Sequence, residues 1–352
     1  MRRYEIKITD QDGNPKEISG FNGGTLFNGT FTSTADSAGL LTIPGALNVE
    51  WDLPISVYNS PLGGAFLRVY GVGLPLMAQA ANFNPSPDGK TYCNIEISGG
   101  MAKGLPLAVP SQYGILMKSR IQQAFGNWQG TSQTLDFIML QPAGSRQDPY
   151  NFSFTCESGT QFSVAIKNTL QSVFPNVSEI NVNVSENLVA PETIVAQNFT
   201  LTDFAKFLNT RSLSIINNPN YPGIQLSYEN NVINVFDYTV PATAEPIQIE
   251  FTDLIGQPTW IGPQTLTFKT VMRFDLKVGG QIKMPELSST LGLILTTAQS
   301  QSQYRNVSDF QGVFNIQMVR HIGLFRQADA NSWVTVVQAY TCLLYTSPSP
   351  RD

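Results

Sequence analysis

A chain of 352 residues, 42% apolar and only 13% charged, has an ordered protein's composition, and is too long for one growing core; about two to four compact units are expected. The net charge of −5, with no basic run longer than Arg2-Arg3, argues against a general nucleic-acid binder, because phosphate neutralisation needs clustered lysine and arginine. No segment approaches the roughly 18 consecutive apolar residues of a membrane span, and MRRYEIKITD lacks the apolar stretch of a secretory signal.

Assembly in the cytoplasm without membrane insertion is therefore expected. The low charge fraction suits a protein that hides much of its surface in an assembly, and equally a merely β-rich chain. Cys93 and Cys156, setting aside Cys342 near the end, are too few for a disulfide framework and read as free buried thiols.

The opening segment, 1–141, alternates apolar residues at Tyr4, Ile6 and Ile8 and again at Ile95 and Ile97. Turn signals at Asp12-Gly13, Asn22-Gly23, Asn28-Gly29 and Asp88-Gly89 punctuate these runs, which predicts hairpins and a β-barrel-like domain. The Asp10-Gln-Asp12-Gly13 run places its glycine too early for a calcium loop and reads as a hairpin turn. A polar stretch, PAGSRQD at 142–148, marks a boundary.

The period then changes. Ile166, Leu170, Val173 and Phe174 recur at helical spacing from Ser163 to Phe174, where Pro175 stops the helix. A second helix is predicted over Leu201–Arg211, with Thr202 as N-cap, Asp203 in the first turn and Phe204, Phe207 and Leu208 on the buried face. Strands at Ile224–Tyr228 and Val232–Tyr238 flank an Asn230-Asn231 turn, completing a small α+β domain at 149–238.

The last segment, 239–341, carries an apolar row of Leu266, Phe268, Thr270, Met272 and Phe274. These alternate with Thr267, Lys269, Val271, Arg273 and Asp275, the pattern of a half-buried strand. Gly279-Gly280 is read as a tight reversal that pairs Gln281–Met284 back on that strand. The fold class is thus mainly β, with a small α+β middle domain flanked by two β-barrel-like domains. Residues 342–352, CLLYTSPSPRD, break the strand pattern and resemble a translated sequencing-library adapter, an artefactual tail set aside from fold reasoning.

Catalytic constellations are scarce. His321 is the sole histidine, without a second ligand for a metal site and without a Gly-x-Ser-x-Gly elbow for nucleophilic chemistry. A cell-wall hydrolase would need two facing carboxyls, one of raised pKa, and Glu157, Glu179, Glu186, Glu192 and Glu229 carry no motif that selects a pair. Trp51, Trp128, Trp260 and Trp333 are dispersed, as core or interface anchors are. No catalytic, cofactor-binding or metal-binding residue is assigned, and no cofactor.

One cluster of motifs stands out near the end: Leu254-Ile255-Gly256-x-Pro258, then Arg273-x-Asp275-Leu276-Lys277-x-Gly279, Gln281 and Pro285. It continues through FQGVFNIQMVRHIG at Phe310–Gly323, with Gly312, His321 and Gly323, and through Trp333-Val-Thr335. Together these resemble the C-terminal barrel of tailed-phage baseplate hub proteins, with one departure at Leu324, where an acidic residue commonly follows the turn glycine. The resemblance assigns structural roles to Gly256, Pro258, Asp275, Gly279, Pro285, Gly312, His321, Gly323 and Trp333.

It implies a structural protein of the virion tail baseplate. Three copies would form a ring with six barrel positions, joining tail tube to central spike and touching baseplate wedge proteins. DNA would pass through the lumen without specific binding, past a polar, acidic lining. A hub-associated peptidoglycan hydrolase and a carbohydrate-binding tail module are the alternatives.

Overall fold

The computed structural model describes the chain except at residues 21, 37, 44, 59–63, 104–108, 141–149, 220, 241–244, 263, 286–311 and 342–352. The 142–148 boundary, the start of the Phe310–Gly323 motif and the adapter-like tail lie outside the described residues.

The first segment contributes β1 (Arg2–Thr9), β2 (Glu17–Ser19), β3 (Thr25–Asn28), β4 (Thr30–Thr32), β5 (Asn48–Ser56) and β6 (Ala65–Tyr70). A one-turn helix α1 (Leu74–Met77) leads to β7 (Asn94–Met101), β8 (Gly114–Gln129) and β9 (Ser132–Leu140). Tyr4, Ile6 and Ile8 point inward at the strand period of two, and Ile97 and Ile95 stand opposite Ile6 and Ile8 on β7, extending one buried face.

The middle segment holds β10 (Phe152–Cys156), α2 (Phe162–Val173), β11 (Glu179–Asn183), β12 (Ile194–Asn198), α3 (Leu201–Ile216), β13 (Gln225–Glu229) and β14 (Val232–Phe236). β10 pairs with β12, and β11, β14 and β13 form a three-stranded sheet. The cap of α3 is Thr200 rather than Thr202: its hydroxyl accepts from the Asp203 backbone N–H at 3.0 Å, while Thr202 already lies inside the helix. The helix also runs past Arg211 to Ile216 and ends on Asn217 at φ 46, a left-handed position that asparagine tolerates. Asn230 and Asn231, at φ 53 and 67, make the paired positive-φ turn of the β13–β14 hairpin.

The last segment adds β15 (Ile247–Gln248), β16 (Thr259–Trp260), β17 (Thr265–Val271), β18 (Gln281–Lys283), β19 (Val313–Leu324) and β20 (Trp333–Thr341). Here the expected β17–β18 pairing fails. β17 has β16 on one edge and β20 on the other, so both of its ladders are filled, and β18 pairs with β19 and β15 instead. Only Gly279 of the glycine pair takes positive φ, at 86, and a Cβ there would sit 2.6 Å from the Phe236 ring.

β19 also pairs with β5, from Met318↔Ser56 to Leu324↔Glu50. That seam joins the first and last segments into one 13-stranded sheet, ordered β16-β17-β20-β19-β5-β6-β9-β8-β7-β1-β4 with β18 and β15 as a branch. Pro54 falls where β5 has left β6 and, among the described residues, keeps only β19 as a ladder neighbour, so its missing N–H removes no bond from a second ladder.

The sheet curls until Tyr4 of β1 meets Trp51 of β5 edge-on, with ring centroids 6.2 Å apart. The curl is barrel-like but open: among the described residues β4 and β16 end the hydrogen-bonded order, and no ladder closes a ring. One hydrophobic core runs through both segments, from Ile6 and Phe137 to Phe268 and Val337, while the middle segment has a core of its own around Phe152, Phe154, Phe162 and Phe204. The class is therefore mainly β, with the helices longer than one turn among the described residues in the middle segment.

Arg2 closes the assembly between the ends of the chain. Its guanidinium donates to the carbonyls of Leu324, Phe325, Gln327 and Asp329 and to the Ser332 hydroxyl, pinning the β19–β20 connection to β1.

Candidate functional site

The motif residues of the last segment fall into three connected places. The Leu254-Ile255-Gly256-x-Pro258 run lies along β17: Leu254 bridges Thr270, and the Ile255 N–H donates to the Lys269 carbonyl at 2.8 Å. Gly256, at φ 80, turns the chain so that buried Pro258 leads into β16.

Past the end of β17 the expected alternation is broken, because Arg273 is buried rather than solvated, its side chain 5% exposed. Burial alone would depress its pKa, but Asp275 at 2.7 and 2.6 Å and Asp253 at 3.1 Å hold the guanidinium charged and raise it. The Asp275 fork and the Asp253 bond tie the turn after β17 to the segment that precedes Gly256.

The third place is the pair His321 and Thr335, neighbours across β19 and β20. The Thr335 hydroxyl accepts from the Arg273 N–H at 3.1 Å, donates to the Arg273 carbonyl at 3.2 Å, and lies 2.9 Å from His321 Nδ1. With its one proton given to Arg273, the hydroxyl's remaining lone pair is filled by an Nδ1–H of His321, which selects that tautomer. Burial pushes the His321 pKa down to about 3, so the ring stays neutral. It is the chain's one histidine, and among the described residues no cluster of three or more His, Cys, Asp or Glu could hold a metal.

Gly323 and Trp333 complete the set at the seam. The indoles of Trp333 and Trp51 pack with centroids 4.7 Å apart, and Trp333 Nε1 donates to the Gly100 carbonyl at 2.9 Å. Gly279, Gly312 at φ 103 and buried Pro285 lie apart from these clusters, at the turn onto Phe236, the entry to β19 and the exit of β18. Sequence reasoning singled out neither Asp253 nor Arg2, which have no local pattern and act only through the folded geometry.

Of the carboxyls considered for hydrolysis, Glu157, Glu179, Glu186 and Glu192 are exposed and Glu229 is buried. Desolvation raises the Glu229 pKa to about 7, with nearby Lys277 and the Val278 N–H opposing the shift. That is the titration a general acid needs, yet the group is enclosed at the junction between the β13–β14 hairpin and the 277–279 turn. The two cysteines are free and buried. Trp128 stands at the tip of the β8–β9 hairpin, 61% exposed, while Trp260 packs at 6.0 Å from Phe314. No helix among the described residues is long and apolar enough to cross a membrane.

No family model matches the chain, and no curated protein matches it. Among solved structures, a tail protein from Neisseria meningitidis is similar at TM-score 0.46 and 9% identity, over 97% of this chain and 98% of that one. A 43 kDa prophage tail protein from Shewanella oneidensis is similar at TM-score 0.48 and 6% identity, over 96% and 97%. A type VI secretion system component from E. coli, described as similar to bacteriophage T4 tail proteins, follows at TM-score 0.43 and 8% identity, over 85% and 74%. At these scores and identities no function is carried across to this chain.

Proposed function

We propose that the chain is a structural protein of a phage-type tail, the baseplate hub, forming a trimeric ring between tail tube and spike in the virion baseplate. The observation that carries the reading is the β5–β19 seam, which joins the strands of the first and last segments into one body. Three such bodies related by a closing rotation present six strand-built chain segments, so one ring can meet a sixfold tube and a threefold spike. The hub-like motif residues support this reading, because His321, Gly323 and Trp333 sit at the seam and the others shape turns of the last segment rather than a reactive cleft. Wedge proteins would bind the outer rim, and the chain's net charge of −5 suits a lumen that does not retain phosphate.

Light scattering of the chain, alone and mixed with its spike and tube proteins, tests the proposal. A trimer mass that forms or is stabilised with the spike is the expected result. A monomer in the presence of both partners would overturn it, and clearing of peptidoglycan in a zymogram would favour a hydrolase instead.

A further inference from the structure

Between the outer face of the first segment and the middle segment lies a cleft of about 590 Å³, within the size range of small-ligand sites. Its two walls differ in chemistry. On the sheet side, strand register sets Lys7, Glu96 and Lys118 in one row across β1, β7 and β8, and Thr9, Asn94 and Arg120 in the next. The facing wall carries three aromatic rings, Phe174 at the end of α2 packing 5.0 Å from Tyr150 and 5.8 Å from Tyr228, with Asn176, Asn230 and Asn231 beside them.

The charges of the polar wall are not equivalent. Lys118 is held by Glu96 at 2.9 Å and Lys7 by Glu5 at 3.3 Å. Arg120 has no carboxylate partner among the described residues: its guanidinium lies 4.0 Å over the Tyr92 ring and spends one N–H on the Gly89 carbonyl at 3.4 Å. A planar fork pre-set by stacking, with N–H groups left over, is suited to receive a carboxylate in two parallel bonds. The slot thus offers an anion fork and hydrogen-bonding side chains on one side, and aromatic rings flanked by asparagine amides on the other. A pyranose ring bearing a carboxylate has that same division, with hydroxyls at its rim and C–H groups on its face.

We infer that this cleft binds an acidic saccharide, its carboxylate on Arg120 and its C–H face against Phe174 and Tyr228. The site does not depend on ring assembly, so its failure leaves the hub reading untouched.

Calorimetric titration of the full chain with a hyaluronan tetrasaccharide, in which glucuronate alternates with N-acetylglucosamine, tests the site against neutral chitotetraose and thymidine monophosphate. Saturable binding of the acidic sugar is expected, weakened at least about tenfold for chitotetraose and for Arg120→Gln, as loss of a charge-assisted bond requires. Arg120→Lys, which keeps the charge but not the fork, is expected to retain part of the affinity. Circular dichroism establishes that each variant is folded. Absence of binding by the folded protein, equal affinity for the two sugars, tighter binding of the nucleotide, or unchanged affinity in Arg120→Gln would each overturn the inference.

Discussion

Trp51 of β5 and Trp333 of β20 pack with planes inclined at 51°, and Gly323 backs onto the same Trp51 indole so closely that a Cβ there would lie 2.3 Å from its ring. The two indoles are not alike. Trp333 Nε1 has the Gly100 carbonyl, whereas Trp51 Nε1 is buried without a partner among the described residues. Trp333→Phe therefore loses a buried hydrogen bond while Trp51→Phe removes an unpaired donor, so Trp51→Phe is expected to cost less. Truncation, Trp333→Ala, is expected to cost about 3–5 kcal/mol and Gly323→Ala at least about 1 kcal/mol by overpacking. Urea unfolding midpoints measure all four, and a Trp51→Phe loss exceeding that of Trp333→Phe would contradict the asymmetry.

Two buried groups give opposite pH dependence. Glu229 titrates from an ordinary 4.5 up to about 7 in the fold, so the folded protein holds that proton more tightly; its stabilisation is full below pH 4.5 and is lost as pH rises through 7. His321 moves from 6.5 down to about 3, so its contribution is full above pH 6.5 and is lost as pH falls through 3. At about 1.4 kcal/mol per pH unit, the limits are about 3 kcal/mol for Glu229 and about 5 kcal/mol for His321. Thermal midpoints should peak in the mildly acid range. Glu229→Gln should flatten the alkaline side and leave the acid side, whereas His321→Gln should flatten the acid side.

The contrast between local and distant contacts explains what the sequence disclosed. Tyr4, Ile6 and Ile8, the 3.6-residue spacing of α2, and Asn230-Asn231 are short-range patterns, and each forms the expected element. The seam has no such signal, because Trp51 and Gly323 meet only after β5 and β19 find each other across most of the chain. The misread β17–β18 hairpin has the same origin: Gly279-Gly280 signals a reversal but not which edge is vacant, and β20 and β16 already fill both edges of β17. Arg273 looks solvated by alternation and is buried because Asp253 and Asp275 neutralise it. Arg120 and Asn94 share a cleft wall through strand register, which motif spacing does not encode.

An ion pair crosses the seam in plain solvent. Arg320 of β19 forks onto Asp52 of β5, with side chains 45% and 39% exposed. Exposed pairs are screened and cost side-chain entropy to hold. Asp52→Asn is therefore expected to lower stability by less than about 1 kcal/mol, and less still at high salt. A loss as large as that of Trp333→Ala would mean that charge rather than aromatic packing holds the seam.

Arg273 marks the other extreme. Its guanidinium gathers Asp253 and Asp275 at a nearly closed position, and its backbone N–H and carbonyl both engage the Thr335 hydroxyl that meets His321. Arg273→Ala leaves two carboxylates facing each other without a cation, and a cost of about 3–5 kcal/mol is expected, as for other broken buried pairs. Arg273→Lys keeps the charge but cannot bond both Asp275 oxygens in one plane, so an intermediate loss is expected. Because the strain is between carboxylates, Arg273→Ala should recover stability as pH falls and one of them protonates, a dependence that denaturation midpoints at two pH values would reveal. Equal destabilisation at both would instead assign the loss to side-chain packing.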